Sequence, residues 1–452
     1  MTDHNDPFPF AEGATREMLN WVQERIRKGP DPKHGAQSVL SLNAKLSGSI
    51  TSDGIGAEQA FAMFTDTIVP STRPFGHPSS LSFVASAPSK AALSFDAALG
   101  AAGIFAGNWD GGAGAIHAEN QVLDWLGGLA GWPDTAGGVF VAGGTLGNLS
   151  ALHAARTRKA KSGIKPTRWQ ILCSSEAHSS IHAAARVMDV DVVTVEPDKS
   201  GRISADAARA KIKDPTAIFA IVGNAGATNC GAIDDLARLA EIAKEIRAWL
   251  HVDGAYGLAA IADPKTRPLF NGIDQADSFI VDPHKWLFAP YDSCALVYRN
   301  ASDGRAAHGQ EAAYLDAVDA DRFNPSDYAL HLTRRARGLP LWYSLAVHGT
   351  KAYSQAIQRT LETAQAIATG IDETEGLELL LGPQLSVILF RPSRMEDATM
   401  EAWAEVHRRS GALLCLPTTW QGEKVFRLCL VNPETNADDV LSVIRTLTDL
   451  QP

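Results

Sequence analysis

The sequence predicts an α/β fold built on a mostly parallel seven-stranded sheet, with an N-terminal arm and a small C-terminal α/β domain. Two observations lead to this prediction. Short apolar runs of strand length follow one another from about Val139, and several of them are separated by segments with the periodicity of helices. Strands that alternate with helices form mostly parallel sheets covered on both faces.

The predicted strands of this sheet are, in chain order, GGVFVAG, RWQILCSS, DVVTVEPD, AIFAIVGN, WLHVDGAY, DSFIVDPH and SCALVYR. Segments with a helical pattern lie between several of them: LGNLSALHAARTRKA, HSSIHAAARVM and IDDLARLAEIAKEIRA. Each strand is bounded by residues that favour turns or helix starts, which is typical of α/β units.

Two smaller units flank the sheet. The segment AEGATREMLNWVQERIRKG predicts a helix, and the polar stretch after it offers no independent core, so residues 1–75 are predicted to form an arm. The large domain is expected at residues 76–335. Residues 336–452 are predicted to form the small domain, with a helix from Leu339, strands LSVILFR and VFRLCLVN, and helices near Glu401 and Asp438.

The composition limits the partners and the compartment. The chain has 452 residues, 45% hydrophobic and 20% charged, and its net charge of −10 argues against a nucleic acid or an anionic membrane as the main partner. The apolar stretch from Ala91 to Trp109 is interrupted by Asp96 and is predicted to be a buried helix rather than a membrane span. Five scattered cysteines without a C-x-x-C pair, and an N-terminus unlike a signal peptide, predict reduced thiols in a cytoplasmic protein.

Candidate functional residues follow three of the predicted strands. Gly143-Gly144-Thr145 comes after the first strand and opens a helix, Asp253 closes WLHVD, and Lys285 lies just past DSFIVD. Each has a plainer interpretation, as a turn with a helix cap, a salt-bridge partner or a solvated loop charge. In an open α/β sheet, however, the carboxyl ends of the strands form the ligand site, so these residues are expected to meet.

Pyridoxal phosphate needs this combination of groups. Its aldehyde forms a Schiff base with a lysine, whose pKa is expected to be lowered by apolar and cationic surroundings. Its ring nitrogen pairs with a buried carboxylate, and its phosphate binds backbone N–H groups at a helix N-terminus. Dinucleotide binding fits less well, because no G-x-G-x-x-G lies between a strand and a helix. No metal site is predicted.

Five stretches resemble the group II pyridoxal-phosphate-dependent amino-acid decarboxylases, especially aromatic-L-amino-acid decarboxylases: VAGGTLGNLSALHAAR, SSEAHSSIHAAARV, AGATNCGAIDDL, WLHVDGAYG and DSFIVDPHKW. The resemblance runs from about His77 to the C-terminus. It implies a fold type I architecture, similar to aspartate aminotransferase. It also implies a homodimer whose active sites lie at the subunit interface.

The resemblance assigns roles to residues of this chain. Lys285 would bind the cofactor covalently and Asp253 would pair with its ring nitrogen. His178 would lie on the ring face as a catalytic and cofactor-binding residue, although a capping histidine is the alternative. The remaining predicted cofactor contacts are Gly144 and Thr145 at the phosphate, His284 nearby, and Thr228 and Ala255 at the ring.

A catalytic tyrosine is also implied. In the family, a tyrosine on a loop after the lysine protonates the carbanion left by loss of CO2, and Tyr314 in QEAAYLDAVDADRF stands at the matching place. Relatives with phenylalanine there deaminate their substrates oxidatively, so a tyrosine favours simple decarboxylation. An ordinary loop tyrosine is the alternative.

The substrate pocket is where the sequence departs from the family. Ile116 and His117 replace a threonine and a glutamate in GGAGAIHAENQVLDWL, and HPSSLSFVASAP keeps fewer aromatic residues than the family has. Four residues are predicted as substrate contacts: Phe83, Ser86, His117 and Arg334. A structural hydrogen bond is the alternative for His117, and a surface charge is the alternative for Arg334.

The predicted function is pyridoxal-phosphate-dependent decarboxylation of an L-amino acid, with an aromatic substrate favoured by AHSS. Decarboxylation of an acidic or diamino acid is the first alternative. A carbon–carbon lyase of the same superfamily and a non-catalytic pyridoxal-phosphate carrier are further alternatives. The lyase would need extra basic residues for a second phosphate, and the carrier would lack Lys285 or Tyr314.

Overall fold

The structure, a computed structural model, describes residues 7–163, 165–309 and 323–450. Its central sheet has seven strands: β1 Gly137–Val141, β2 Gln170–Ser174, β3 Asp191–Val195, β4 Ile218–Asn224, β5 Trp249–Asp253, β6 Ser278–Val281 and β7 Cys294–Tyr298. Their order is β1-β7-β6-β5-β4-β2-β3. Strand β7 is antiparallel to both of its neighbours, and the remaining pairs are parallel, which confirms the predicted mostly parallel sheet.

The strands are apolar along their whole length because both faces of the sheet are covered. Alternate residues point to opposite faces. Phe140 and Leu250 belong to the core on one face, while Val139 and Trp249 belong to the core on the other. Central strands β4, β5 and β6 are buried at every position, as expected for a parallel sheet between two helical layers.

Thirteen α-helices lie in the described part of the chain. In the arm and before the sheet they are α1 Glu12–Lys28, α2 Val39–Leu46, α3 Ala57–Met63, α4 Lys90–Ala102 and α5 Trp109–Leu129. Around the sheet they are α6 Gly144–Ala160, α7 Ser179–Met188, α8 Ala205–Lys211, α9 Leu236–Glu245 and α10 Ala301–His308. In the C-terminal part they are α11 Leu339–Asp372, α12 Asp397–Ser410 and α13 Ala437–Arg445.

The C-terminal part has its own antiparallel sheet. Strands β8 Leu377–Gln384, β9 Val387–Pro392, β10 Pro417–Trp420 and β11 Glu423–Cys429 have the order β10-β11-β9-β8. The predicted strands LSVILFR and VFRLCLVN correspond to β9 and β11. Helices α11, α12 and α13 cover this sheet, and together they form a separate apolar cluster that includes Ile367, Phe390, Trp403 and Ile444.

The prediction of a buried helix from Ala91 to Trp109 is wrong in two respects. Helix α4 ends at Ala102, because Gly103 adopts the left-handed conformation that stops a helix. Only Ala92 and Leu99 of α4 are buried, because the alanines and glycines of this helix have little side-chain surface to bury. None of the helices in residues 7–163, 165–309 and 323–450 has the length and apolar character needed to span a bilayer.

Candidate active site

Three of the predicted site residues, Gly144, Asp253 and Lys285, lie at the carboxyl edge of the central sheet. Helix α6 begins directly after β1, Asp253 ends β5, and Lys285 lies in the turn that follows β6. A Cβ atom placed on Gly144 would lie 3.2 Å from Asp282 Oδ2 and 3.3 Å from the Cβ of Ala255. The helix N-terminus therefore closely approaches the ends of β5 and β6, as the strand positions predict.

Lys285 contacts a carboxylate that the sequence reading did not single out. Its Nζ atom lies 3.0 Å from Asp282 Oδ2, and the turn is closed by a 2.9 Å hydrogen bond from the Lys285 N–H to the Asp282 carbonyl. Asp282 is 2% exposed, and its Oδ1 accepts no hydrogen bond within the described part of the chain. The turn thus places the ammonium group against a buried carboxylate.

The expected lowering of the lysine pKa is wrong. Burial is the largest single influence and lowers the pKa of Lys285, but the charge and hydrogen bond of Asp282 together with the charge of Asp253 outweigh it, so the pKa is raised. The predicted cationic surroundings are instead anionic. The contribution of Asp253 to the pKa of Lys285 also places these two groups within electrostatic reach of each other.

Asp253 is held by two donors. Its Oδ2 accepts a 2.9 Å hydrogen bond from Asn148 Nδ2, and its Oδ1 accepts one of 3.2 Å from the backbone N–H of Ala255. The carbonyl of Ala255 in turn accepts from the N–H of Asp282 at 2.9 Å. Ala255 therefore joins the two carboxylates through its backbone, while its small side chain faces the N-terminus of α6.

His284 lies on the other side of this turn. Its Nδ1 donates to the Ser293 carbonyl at 2.6 Å, and its Nε2 lies 3.7 Å from Asp282 Oδ2. Burial lowers the pKa of His284. A Cβ atom on Gly143 would lie 4.0 Å from the His284 ring, so this histidine borders the first turn of α6, where the phosphate is predicted to bind.

His178 caps helix α7 and is exposed. Its Nδ1 accepts the backbone N–H of Ser180 at 3.2 Å and lies 2.8 Å from the Ser180 hydroxyl. That hydroxyl also accepts a 2.9 Å hydrogen bond from Asn148, the same amide that binds Asp253. The capping alternative is therefore present in the structure, and it is compatible with the predicted role because the cap uses only one ring nitrogen.

Thr228 is held by an arginine from the small domain. Arg427, on β11, donates to the carbonyl of Thr228 and to the carbonyl of Ser82, next to Phe83. Its side chain is mostly buried and both contacts are to neutral carbonyl groups. Arg427 thus connects the small-domain sheet to two loops that carry predicted site residues.

The first two predicted substrate contacts lie in one loop. Phe83 is 47% exposed and packs edge-on against Phe75, with ring centres 5.1 Å apart. Ser86 is buried, its hydroxyl donates to the Ala289 carbonyl at 2.8 Å, and its N–H donates to Tyr291 Oη at 3.1 Å. The loop is therefore attached to the segment just after Lys285.

The other two predicted substrate contacts are not brought to this edge by any contact in the structure. His117 is exposed on α5 and acts electrostatically on Asp124 of the same helix. Arg334 is buried and makes two 2.7 Å hydrogen bonds to Glu119 and one of 2.9 Å to the Ala106 carbonyl. Arg334 is thus not the surface charge considered as an alternative. Its substrate contact stays a prediction that this ion pair does not support.

Tyr314 lies outside the described residues. Four residues that shape the site were not predicted from the sequence: Asp282, Asn148, His251 and Arg427. Asp282 and Arg427 had a detectable signal, since each is a charge inside or beside an apolar strand. Asn148 and His251 had none, because a single amide in a helix and a single histidine in a strand have many structural uses.

Burial supports a fit to pyridoxal phosphate. Asp282 is buried, and so are the predicted cofactor contacts Asp253 and His284, whereas the other residues predicted to touch the cofactor keep exposed surface: Gly144, Thr145, His178, Thr228, Ala255 and Lys285. A sheet edge that brings together a lysine, a carboxylate with two N–H donors and a helix N-terminus matches the aldehyde, ring nitrogen and phosphate of this cofactor. Together with the fold, these residues indicate a pyridoxal-phosphate-dependent enzyme.

Comparison with known proteins establishes the family. The family model described as "Pyridoxal-dependent decarboxylase conserved domain" matches residues 51–393. The chain is 30% identical to an aromatic-L-amino-acid decarboxylase of Bacillus atrophaeus, with 90% of this chain and 88% of the relative covered. It is also 30% identical to an L-2,4-diaminobutyrate decarboxylase of Rhizobium meliloti, with 98% and 94% covered. The protein belongs to the pyridoxal-dependent decarboxylase family.

Solved structures agree in fold. The structure of Oryza sativa TDC with PLP and tryptamine superposes with a TM-score of 0.89 at 20% identity, covering 97% of this chain and 98% of that one. Mouse CSAD superposes with a TM-score of 0.87 at 22% identity, covering 97% and 98%. The architecture is therefore that of the pyridoxal-phosphate-dependent decarboxylases. The protein is an amino-acid decarboxylase that uses pyridoxal phosphate.

Proposed function

We propose that this enzyme converts an aromatic L-amino acid to the amine and CO2. The observation that carries the proposal is the sheet edge at which Lys285 and Asp253 meet the N-terminus of α6. The aromatic substrate is supported by the segment Ala177-His-Ser-Ser180 and by the relative from Bacillus atrophaeus. A diamino acid is the second candidate, because the relative from Rhizobium meliloti is equally identical over more of the chain.

The residues have separate tasks in this proposal. Lys285 is the covalent attachment point, and Asp253 neutralises the protonated ring nitrogen. Thr145 and the first N–H groups of α6 bind the phosphate, with Gly144 allowing close approach. Bound pyridoxal phosphate supplies the electron sink that accepts the electron pair left by loss of CO2. His178, Thr228 and Ala255 fix the plane of the ring.

The protein also has to orient the substrate carboxylate and return a proton. Arg427 contacts only neutral carbonyl groups in the hydrogen bonds described above, so its charge is available to attract an anion beside Thr228 and Phe83. Tyr314 delivers a proton to Cα after CO2 has left. Excluding water from this step favours proton delivery from the protein.

A homodimer in the cytoplasm completes the proposal. Apolar side chains on the arm are exposed in the single chain, among them Phe10, Leu19, Leu40 and Ile50. Exposed apolar surface of this kind is typical of an interface. The five cysteines are free and buried, which is compatible with a reducing compartment.

Absorption spectroscopy and a substrate panel test the proposal. The purified protein is expected to bind pyridoxal phosphate and to show the visible band of the lysine-bound cofactor. Lys285→Ala is expected to lose this band, and Lys351→Ala, an exposed lysine on α11, is the matched control. Retention of the band in Lys285→Ala would contradict the assignment of the lysine.

The panel contains aromatic, acidic and diamino L-amino acids and is scored for CO2 and amine. Preference for an aromatic substrate is expected. A preference for 2,4-diaminobutyrate or glutamate would replace the aromatic assignment, and absence of CO2 release from every substrate would contradict decarboxylation.

Tyr314→Phe tests the proton donor. The variant is expected to produce less amine and, in the presence of O2, more aldehyde, because a carbanion that the protein no longer protonates is oxidised by O2 with release of ammonia and H2O2. The two products are separated chromatographically after reaction with the best substrate. An unchanged amine yield would remove Tyr314 from the mechanism, while leaving the lysine assignment intact.

A further inference from the structure

A continuous chain of buried hydrogen bonds ends on the carboxylate of Asp253. Trp249 Nε1 lies 2.7 Å from the Ser278 hydroxyl, which lies 2.8 Å from His251 Nδ1. His251 Nε2 lies 2.8 Å from Asn148 Oδ1, and Asn148 Nδ2 lies 2.9 Å from Asp253 Oδ2. The four side chains before Asp253 are at most 1% exposed, so water does not compete for these bonds.

The tryptophan end is compatible with one direction of the chain. An indole N–H can only donate, so the Ser278 hydroxyl accepts from Trp249 and keeps its own hydrogen for a bond to His251 Nδ1. In this direction His251 carries its proton on Nε2 and donates to Asn148 Oδ1. Burial lowers the pKa of His251 to about 4, so the ring is neutral near neutral pH and keeps this single tautomer.

The carboxylate end fixes this direction. An ionised carboxylate can only accept, so the amide nitrogen of Asn148, and not its oxygen, faces Asp253. The backbone N–H of Ser180 donates to His178 Nδ1, so the Ser180 hydroxyl also donates there and accepts from Asn148 at 2.9 Å. Every hydrogen in the network has one consistent place.

We propose that Asn148 and His251 are positioning residues that keep Asp253 ionised and aimed at the ring nitrogen of the cofactor. Asn148 also connects Asp253 to His178 through Ser180, so one amide orients the carboxylate below the ring nitrogen and the imidazole predicted to lie on the ring face. This inference rests on the proposed function, because it assigns these two contacts to pyridoxal phosphate.

The physical reason is the stability of a charge in a buried place. A hydrogen bond to the charged form of a carboxylate favours that form, and burial favours the neutral form. Without the Asn148 donor, the Asp253 carboxylate keeps one hydrogen bond within the described part of the chain, from the N–H of Ala255. The proton shared with the ring nitrogen then shifts toward the carboxylate, and the electron sink is weakened. His251 prevents this shift of the proton by holding the Asn148 amide in one orientation.

The test compares variants along the chain in the reconstituted full-length protein. Cofactor affinity of the apo-protein is measured together with the ¹⁵N chemical shift of ring-labelled pyridoxal phosphate, which reports whether the ring nitrogen is protonated. His251→Leu removes the N–H that donates to Asn148 Oδ1, and His251→Gln places an amide N–H near the same position. Ser278→Ala removes the hydroxyl that fixes the tautomer.

The expected effects decrease with distance from Asp253. His251→Leu should weaken cofactor binding at least about tenfold and move the ¹⁵N shift toward the unprotonated form. His251→Gln should restore most of the cofactor affinity and most of the ¹⁵N shift. Ser278→Ala should change both quantities in the same direction as His251→Leu, but by less. His308→Leu is the matched control: His308 is also buried with a pKa lowered to about 4, but it bonds the Ser150 carbonyl, and the ¹⁵N shift should not change.

Three results would overturn the inference. They are a protonated ring nitrogen with unchanged affinity in His251→Leu, no difference between His251→Leu and His251→Gln, or an equal ¹⁵N change in His308→Leu. If His251→Leu does not fold, Ser278→Ala decides, and an unchanged ¹⁵N shift there would count against the inference. Failure of the wild-type protein to bind the cofactor would instead contradict the proposed function, and this inference with it.

Discussion

The contact between Lys285 and Asp282 determines the pKa of the lysine. A lysine in apolar surroundings tends to lose its proton, but a carboxylate 3.0 Å away reverses this tendency and raises its pKa. Covalent attachment of an aldehyde needs the neutral amine. In the structure, the Asp282 carboxylate therefore opposes release of the Lys285 proton.

Asp282→Asn is expected to lower the pKa of Lys285 and to destabilise the apo-protein. Because the folded-state pKa of Lys285 is raised, the ion pair stabilises the fold below the unfolded lysine pKa of about 10.4, and this contribution is lost as pH rises through the folded-state value. The difference in unfolding free energy between wild type and variant should therefore be largest near neutral pH and shrink toward alkaline pH. Urea denaturation from about pH 7 to about pH 11 measures it.

Asp263→Asn is the control for this prediction. Asp263 is also buried, but its Oδ1 accepts from Ser354 and Gln358, which carry no charge. The difference in unfolding free energy between the wild type and Asp263→Asn should not shrink toward alkaline pH. A pH-independent difference in Asp282→Asn would show that the lysine does not contribute through this carboxylate.

The sequence predicts the residues that would contact the cofactor better than the residues that hold them in position. Asp253 ends a predicted strand, Lys285 lies just past another, and both carry charge, so topology alone brings them together. The hydrogen bonds from Asn148 to Asp253 and from His251 to Asn148 join residues more than 100 positions apart, and no local pattern marks them. The raised pKa of Lys285 could not be predicted either, because it depends on how the 282–285 turn folds.

At the scale of elements, helix α6 organises the site. Its first turn carries the N–H groups that are proposed to bind the phosphate, and Asn148 follows in the second turn. Gly147 allows the helix to lie close to the sheet, since a Cβ there would be 2.8 Å from Ile280 Cγ2 and 3.0 Å from Cys294 Sγ. The amide reaches Asp253 on β5 because the helix packs this tightly.

Arg334→Leu tests whether the arginine is structural. The ion pair with Glu119 joins α5 to the start of α11, where Glu119 also accepts the N–H of Gly338 at 2.7 Å. Removing one partner leaves a buried charge, so the variant should lose about 3–5 kcal/mol of unfolding free energy in urea denaturation. A pair of leucines at positions 119 and 334 should recover much of this loss.

The neighbouring residue provides the control. Arg335 pairs with Asp96 at the surface and is 42% exposed, so Arg335→Leu should change stability by less than about 1 kcal/mol. If Arg334→Leu kept its stability but raised KM, the predicted contact with substrate would be favoured over the structural role.

Two strands that the sequence did not predict, β8 and β10, are irregular. Strand β8, LELLLGPQ, lacks clean alternation, and its pairing with β9 shifts register after Leu379 and Leu381. Strand β10 has four residues and begins with Pro417, a residue that cannot donate to a ladder. The central strands were predictable because burial on both faces demands continuous apolar runs.

At the scale of the whole molecule, the C-terminal part of the chain contacts the loop that carries two predicted substrate residues. The Leu81 N–H donates to the Leu414 carbonyl at 2.9 Å, and the Cys429 N–H donates to the Leu81 carbonyl at 2.8 Å. Arg427 adds its hydrogen bond to Ser82. The loop that carries Phe83 and Ser86 is therefore attached to both domains, so a shift between them would reshape the predicted substrate pocket.

The arm provides a test of self-association. Leu19 on α1 is 63% exposed, so Leu19→Glu should leave the unfolding free energy of the single chain nearly unchanged, within about 0.5 kcal/mol. If the arm packs against a second copy, the added charge should weaken that contact by about 1–2 kcal/mol. Sedimentation velocity over a concentration series measures the shift toward monomer.

Val406→Glu separates an arm-specific effect from a general effect of added charge. Val406 lies on α12 of the small domain and is 62% exposed, so it matches Leu19 in size class and exposure but not in position. Its variant should sediment as the wild type does. Equal dissociation of both variants would point to charge repulsion between copies, and no dissociation of Leu19→Glu would place the interface away from this face of the arm. Because the active site is proposed to lie at the interface, loss of cofactor on dilution of Leu19→Glu would connect the arm to the site chemistry.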